Sequence, residues 1–542
     1  MDILISDGKI VEKVDERKAK VIDASGMTVM PGGVDIHSHI AGAEVNAGRL
    51  LRPEDHVKDV EAKTALTRSG VGHSVPSTFT TGYRYSRMGY TTVMNPSMPP
   101  LEARHTHEEL NDIPMIDKAT FPLLGDWWFV LEHLRDNQIE KCAAHVAWMM
   151  HATKGYAIKI VNPGGLEAWG FGKNVESIDD SVPHFNITPR EIIRGLCKVN
   201  KALNLPHTIH VHTNNLGKPG NYTTALETMK CVEDLAEEDS PVMHITHCQF
   251  SAFKGSDWRT MRSGAEEIAK YVNRHTHVTL DLGQVVFTDT TTMTADGPFQ
   301  YGLYGLTGNK WVNHDVETET SSGIVPFKYR RTSHVNATQW SIGLELALLV
   351  EDPWRIYLTT DHPNGAPFTT YPQIISWLMS AVAREKTLKR INKRARRNSL
   401  LSSIDREYSF YETAIVTRAG QAKALSLRQK GHLSPGADAD IAVYDLNPQE
   451  LNPSKDYKAL IQAFSKAAYT IKGGEIVVQA GEIVRSVRGR TFWVDTELSS
   501  PPEPSTELKR KFREYWTVEY ENYPLPEEYL KAASPITVKA RV

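Results

Sequence analysis

Short apolar runs alternate with longer amphipathic stretches through most of the chain, while the two ends read differently from the middle. From residue 34 the apolar runs are VDIHSH (34–39), TTVMN (91–95), YAIKIV (156–161), TIHVHT (208–213), VMHITHC (242–248), HVTLDLG (277–283) and RIYLTTD (355–361). They have the composition of strands buried on both faces, and each ends in polar residues. Between them, 189–203, 223–237 and 265–273 place apolar residues at helical spacing. About eight such units predict an α/β fold closed into a (β/α)8 TIM-like barrel. The barrel is expected to span 34–407.

The ends have a β texture. ILIS, Asp7-Gly8 as a turn and then KIV read as a hairpin, and VIDASGMTVMPGG continues in the same style up to residue 33. After about residue 408, GHLSPGADADIAVYDL, YTIKGGEIVVQAGEIVRSV and TFWVDT alternate in polarity between glycine turns. Residues 1–33 and 408–497 are expected to pair as one small β-sandwich domain. Residues 498–542 form a C-terminal extension rich in Pro, Glu and Tyr. Its Trp516, Tyr520, Tyr523 and Tyr529 suggest contact with a partner, because aromatic residues are favoured in interfaces, the alternative being that the extension wraps this chain's own barrel.

Composition narrows the class. Hydrophobic residues make up 40% and charged residues 23% of the 542, enough for a large core. Lys+Arg minus Asp+Glu is 62 − 65 = −3, so no basic field points to nucleic acid. The first residues lack a basic, apolar leader pattern, and no apolar run approaches the ~20 residues of a membrane span. Four scattered cysteines without a C-x-x-C make neither a disulfide framework nor a cysteine zinc site. The expectation is a cytoplasmic protein with no membrane and no nucleic-acid partner.

The sharpest chemical signal is Asp35-Ile-His37-Ser-His39. Strand side chains alternate, so His37 and His39 point the same way at the end of the first barrel strand, where such barrels hold their sites. Two imidazoles on one face are half of a zinc site. Later strands end in His210-Val-His212, in His244-Ile-Thr-His247, and in Asp361. An earlier one carries Lys159 in an apolar strand, where a charged amine is costly. Conversion by CO2 to a carbamate would make it an anion able to bridge two cations.

The ordered set H-x-H, Lys, His, His, Asp at successive strand ends resembles the amidohydrolase superfamily, among its members with two metals and a carboxylated lysine. VHTNN and ITHCQFS resemble the family's later ligand strands. That resemblance selects His212 over His210 and His247 over His244. HSHIAGAEVNAGRLLRPEDH, GYAIKIVNPGG, LTTDHPNGAPFTTYP and KGHLSPGADADIA further resemble the amidohydrolase-type subunit of formylmethanofuran dehydrogenases and of the bacterial formyltransferase/hydrolase complex.

The resemblance implies hydrolysis of the formamide bond of a formylated methanofuran-type C1 carrier, or formation of that bond in reverse. It implies two zinc ions as the default divalent metals. His37 and His39 would hold the more buried metal, and His212 and His247 the more exposed one. Lys159, carboxylated by CO2, would bridge, while Asp361 would bind metal and shuttle the proton. A metal-activated hydroxide is the expected nucleophile, since metal binding lowers the pKa of bound water to about 7. The implied partners are other subunits of a C1-transfer complex, including a formyltransferase.

Gln284, just past HVTLDLG, is placed to contact substrate, with core packing the alternative. His362 is expected to be structural, because its side chain should point away from that of Asp361. Asn162-Pro-Gly-Gly165 reads as a turn fixing the end of the Lys159 strand, and the basic run 384–397 reads as a solvated helix face. The modest net charge and the arginines at 394, 396 and 397 tilt the reading toward the bacterial hydrolase. The alternatives are the corresponding subunit of an archaeal tungsten or molybdenum formylmethanofuran dehydrogenase, a dihydropyrimidinase-like cyclic amidase, and a non-catalytic scaffold protein of a larger assembly.

Overall fold

The computed structural model of the chain describes residues 2–237, 240–314, 322–497, 506–515 and 518–541. Eight parallel strands form its centre: β1 (Gly33–Asp35), β2 (Tyr90–Met98), β3 (Asp117–Pro122), β4 (Lys159–Val161), β5 (Ile209–His212), β6 (Met243–Ile245), β7 (Val278–Asp281) and β8 (Ile356–Tyr357). Neighbours pair in parallel within β1–β2–β3 and within β4–β5–β6–β7–β8. A parallel bridge from Leu123 to Lys159 joins β3 to β4, and one from Ser38 to His362 joins the last strand end to the first. The result is a closed (β/α)8 barrel. Every residue of the eight strands is buried, as expected for strands with helices outside and side chains filling the middle.

The helices follow from local chemistry. Pro189–Leu203 begins at Thr188, whose hydroxyl accepts from the Glu191 amide while the Glu191 carboxylate accepts from the Thr188 amide, with Pro at the first helical position. Its apolar residues Ile192, Ile193, Leu196, Val199 and Leu203 face the sheet. Helix His334–Leu349 is buried on nearly all sides, which its QWSIGLELALL sequence permits.

Seven barrel strands coincide with apolar runs of the sequence. The eighth, β3, does not stand out, because DKATFP carries Asp117, Lys118 and Thr120. A second unexpected element lies between β7 and β8. Strands Asp289–Thr294, Val312–His314 and Ser322–Lys328 form an antiparallel sheet with helix Gly297–Thr307 beside it.

The two chain ends meet. Thr28–Pro31 pairs antiparallel with Ile441–Tyr444, which continues through Tyr469–Lys472 and Glu475–Gln479 to Glu482–Ile483. The hairpin Leu4–Ser6/Lys9–Val11 turns at Asp7-Gly8. Ile10 packs with Ala437, Ala439, Ile441, Val443 and Ile471 in a small separate core. A buried ion network ties this β-sandwich to the barrel. Asp117 of β3 receives Lys430 at 2.5 Å and Lys472 at 2.8 Å, and Lys472 also reaches Asp440 at 2.8 Å.

Two expectations about the C-terminal third are corrected. The β character expected from residue 408 begins near 441, since Phe410–Ala414 and Gly420–Ala424 are helical. Thr491–Glu497 lies outside the composite sheet. It bridges to Lys118 of β3 at Thr491 and pairs in parallel with Ala533–Lys539. The extension packs on the barrel, the alternative left open by its sequence. Phe512, Tyr520 and Tyr523 are buried, and Tyr520 stacks on Trp148 with ring centroids 3.7 Å apart. Tyr529 lies under the Arg104 guanidinium. These side chains find their apolar cover on the chain's own barrel, so the aromatic content of the extension does not by itself signal a partner. Trp516 lies outside the described residues.

Candidate active site

The C-terminal ends of the barrel strands converge on one cavity of about 320 Å³. His37, His39, Lys159, His212, His247 and Asp361 all line it. Alternation along β5 turns both His210 and His212 inward, with His212 nearer the mouth and His210 one layer down, level with Lys159 and His244.

Local structure holds the H-x-H segment in place. The Tyr85 and Tyr371 hydroxyls donate to Asp35 at 2.7 and 2.5 Å, and the His37 amide donates to the same carboxylate. The amides of Ile40 and Ala41 donate to the Asn95 side chain, fixing the loop beyond. At the far end of the sequence, the Asn364 side chain donates to Asp361 at 3.0 Å. His247 and Asp361 both adopt left-handed φ values, 34° and 49°. Non-glycine residues accept that conformation only when their surroundings enforce it, and such positions cluster at functional sites.

The groups are close. His37 Nε2 and His39 Nε2 lie 3.0 and 3.3 Å from Asp361 Oδ1. One ligand atom from each of His37, His247 and Asp361 lies within 4.8 Å of the others. The His212 and His247 ring centroids are 4.8 Å apart, and those of His37 and His247 5.2 Å.

The electrostatics suit cations. Burial depresses His39, His212 and His247, which favours the neutral form that can ligate, whereas Asp281 and Asp361 raise His37 against burial. Burial opposes charge on Asp361, but His247 and His37 outweigh it and hold the carboxyl well below its ordinary range. Burial pulls Lys159 down to about 8, against the pull of Asp361, Asp281 and Glu44. Its Nζ makes no hydrogen bond among the described residues, and neither do His37 Nε2 and His247 Nδ1. Two buried polar atoms without partners, Lys159 Nζ and His247 Nδ1, beside His37 Nε2 whose one neighbour is the Asp361 carboxylate, fit a metal centre that would satisfy them.

Several contributors were not singled out in the sequence. Asp296 accepts from His212 Nε2 at 3.0 Å and also caps helix Gly297–Thr307. It therefore leaves Nδ1 as the free nitrogen of His212. Asp281 of β7 takes the His247 amide at 2.9 Å and pairs with His244 at 3.0 Å. The outer walls are apolar, including Leu216, Phe250, Phe299, Leu303, Phe327 and Tyr329.

Gln284 is corrected. It does not line the cavity, and its amide donates to the carbonyls of Val285 and Trp340, a packing role. His362 is buried against Phe368 and accepts from the Phe368 amide, apart from the cavity. Asn162–Gly165 does form the turn after β4. A side chain at Gly164 (φ +70°) would strike Val182 at 2.2 Å. In the basic run, Arg384 is buried and spent on backbone carbonyls, while most of the rest is exposed.

Comparison with known proteins places this geometry. The amidohydrolase family model matches residues 20–478. Protein FwdA of Methanocaldococcus jannaschii is 53% identical over the whole of this chain and 96% of its own length. One subunit of the formyltransferase/hydrolase complex Fhc of Methylorubrum extorquens is 37% identical over 93% of this chain and 90% of its own. The crystal structure of the FhcABCD complex from that organism, bound to methylofuran, superposes with a TM-score of 0.89 at 35% identity, covering 99% of this chain and 96% of the matched one.

Proposed function

The chain belongs to the amidohydrolase family, and from that premise we propose that it hydrolyses the formamide bond of a formylated methanofuran-type carrier, releasing formate and the free amine. One observation carries the proposal. His37, His39, Lys159, His212, His247 and Asp361 all line one cavity, in a chain that aligns end to end with a component of a formyltransferase/hydrolase complex solved with methylofuran. No helix among the described residues is long and apolar enough to cross a membrane.

In this reading His37 and His39 would hold one divalent metal and His212 and His247 the other, with carboxylated Lys159 as the anionic donor shared between them; zinc suits these nitrogen and oxygen donors. When bound, the pair would supply an acidified water and a polarised formyl carbonyl. The rest falls to side chains. A Lys159 amine lowered to about 8 is partly unprotonated near neutrality, the form that reacts with CO2. The apolar walls exclude bulk water and orient the ring of a furan-type carrier. Asp361 accepts the proton of the attacking water as the C–O bond forms. It returns that proton to the amine nitrogen as the C–N bond breaks, so the carboxylate is regenerated.

The chain works within a C1-transfer complex that includes a formyltransferase; the likeness to the Fhc component supports this. A second reading concerns direction. Identity of 53% with FwdA against 37% with the Fhc component leans away from the bacterial hydrolase, opposite to the tilt of the charge pattern, and with it condensation of formate with the amine becomes the alternative to its release. Incubating the zinc-loaded complex with the formylated carrier, or with formate and the free amine, tests both directions. Release of formate in the first or formation of the amide in the second supports the reading. Neither product, beside cleavage of a cyclic ureide, would replace it with a cyclic amidase.

A further inference from the structure

Beneath the cavity, the barrel interior is filled with imidazoles where apolar side chains would be usual. His37, His210 and His207 form a line down the barrel. His37 Nδ1 lies 2.9 Å from His210 Nε2, and His210 Nδ1 lies 3.0 Å from His207 Nε2. His207 Nδ1 lies 2.8 Å from the backbone carbonyl of Ala424. All three rings are at most 1% exposed.

A neutral imidazole has one N–H donor and one acceptor nitrogen, so a row of them has a direction that its ends must set. Here one end is unambiguous, because a carbonyl oxygen only accepts. His207 must place its proton on Nδ1 and donate to Ala424. Its Nε2 is then an acceptor, so His210 donates from Nδ1. His210 Nε2 is in turn an acceptor, so His37 donates from Nδ1. His37 is left with a bare Nε2, the nitrogen that faces the cavity beside Asp361. The second acceptor near His37 agrees, since Asp281 Oδ2 lies 3.5 Å from the same Nδ1. Burial pulls His207 down to about 3 and His210 well below its ordinary value. It opposes charge on His37 too, but Asp281 and Asp361 outweigh it and raise His37, so the row sets which nitrogen His37 bares once its extra proton has left.

We infer that the Ala424 carbonyl, through His207 and His210 as positioning residues, sets the tautomer of His37 and thereby the nitrogen it offers to a metal. The inference rests on the metal-site part of the proposed function and is independent of the substrate. It extends to a chain of three rings the rule that a ligating histidine is oriented by the partner of its other nitrogen.

Two variants separate this role from simple packing. His207→Phe keeps an aromatic ring beside Phe121 but removes both hydrogen-bond functions. The His210 N–H then loses its acceptor, and turning its proton onto Nε2 would push His37 into the wrong tautomer. His207→Gln restores the polarity, with an amide N–H for Ala424 and an amide oxygen for His210. The full-length protein, stripped of metal, is titrated with zinc against a competing chelator. Its histidine tautomers are read by ¹⁵N NMR at alkaline pH, where His37 has lost its extra proton, with the His37 signals assigned by their loss in His37→Gln.

The expected results are a bare Nε2 on His37 in the wild type and in His207→Gln, a shifted tautomer in His207→Phe, and about 10–100-fold weaker zinc binding in His207→Phe, largely recovered in His207→Gln. An Nε2–H tautomer of His37 in the wild type would overturn the inference. So would a His207→Phe protein with unchanged tautomer and zinc affinity. If His207→Phe fails to fold, the tautomers of the wild type and His207→Gln still decide it. Those readings also stand apart from any failure to hydrolyse a formamide.

Discussion

Replacing Asp361 by Asn separates its two assigned roles. The substitution preserves shape, and asparagine tolerates the left-handed backbone found at this position (φ 49°), so no new strain is introduced. The introduced amide oxygen can still accept from the Asn364 side chain, which donates to Oδ1 at 3.0 Å in the wild type. What is lost is the negative charge and the ability to carry a proton from water to the amine. General acid–base steps are worth about 10²–10⁴ in rate, or about 2.7–5.4 kcal/mol of barrier at ~1.36 kcal/mol per tenfold. Single-turnover formate release from the formylated carrier, measured beside metal content, should therefore fall by at least about two orders of magnitude while part of the metal is retained. Turnover near that of the wild type at full metal loading would refute the proton role. Complete loss of metal would show that Asp361 is required to hold it.

Other outcomes follow from the same structure. Lys159→Ala should lose most bound metal and activity, with partial rescue by a short carboxylic acid; intact-mass analysis of the wild type should show one added CO2, and an unmodified amine beside two bound metals would contradict the bridge. Asp117→Asn should cost about 3–5 kcal/mol at pH 7, because it leaves Lys430 and Lys472 buried with a broken network. Burial opposes charge on Asp117, but Lys430, Lys472 and Arg490 outweigh it and lower its pKa. Its contribution is thus present above the unfolded-state value of about 3.9 and is lost as pH falls through the lower folded value. The stability gap to the wild type in denaturant should therefore narrow below pH ~4, and a gap that widens there would be inconsistent with this linkage. Tyr523→Ala should destabilise the free chain by about 3–5 kcal/mol, as for other buried aromatic truncations; unchanged stability would mean that the extension is held by something other than the barrel.

The six proposed ligand positions were legible because barrel chemistry follows strand geometry. A period of two aims His37 with His39, and strand ends mark His212, His247 and Asp361, while Lys159, the first residue of β4 and one layer down, stood out as a lysine in an apolar strand. Choosing His212 over His210 took a family resemblance, since alternation turns both inward and only depth separates them. Asp296 was invisible for a different reason. It sits in TTTMTADGP, an insertion whose local pattern says strand and turn, and only the tertiary fold brings it to His212. β3 was missed because its Asp117 and Lys118 are buried by ion pairs and backbone contacts that no local pattern announces. The sequence left open whether the extension meets a partner or its own barrel, because the aromatic residues that receive it, Trp127, Phe129 and Trp148, lie hundreds of residues earlier.

The central claim is that this barrel cleaves or makes a formamide bond with metals held at these strand ends. Its most direct test is formate release from the formylated carrier by the purified complex, before chelation, after it, and after zinc is restored, with elemental analysis alongside. The account predicts about two metals per chain, formate release that disappears with them, and recovery with zinc. Formate release that persists in the metal-free protein, or none from a fully loaded one in either direction, would contradict it.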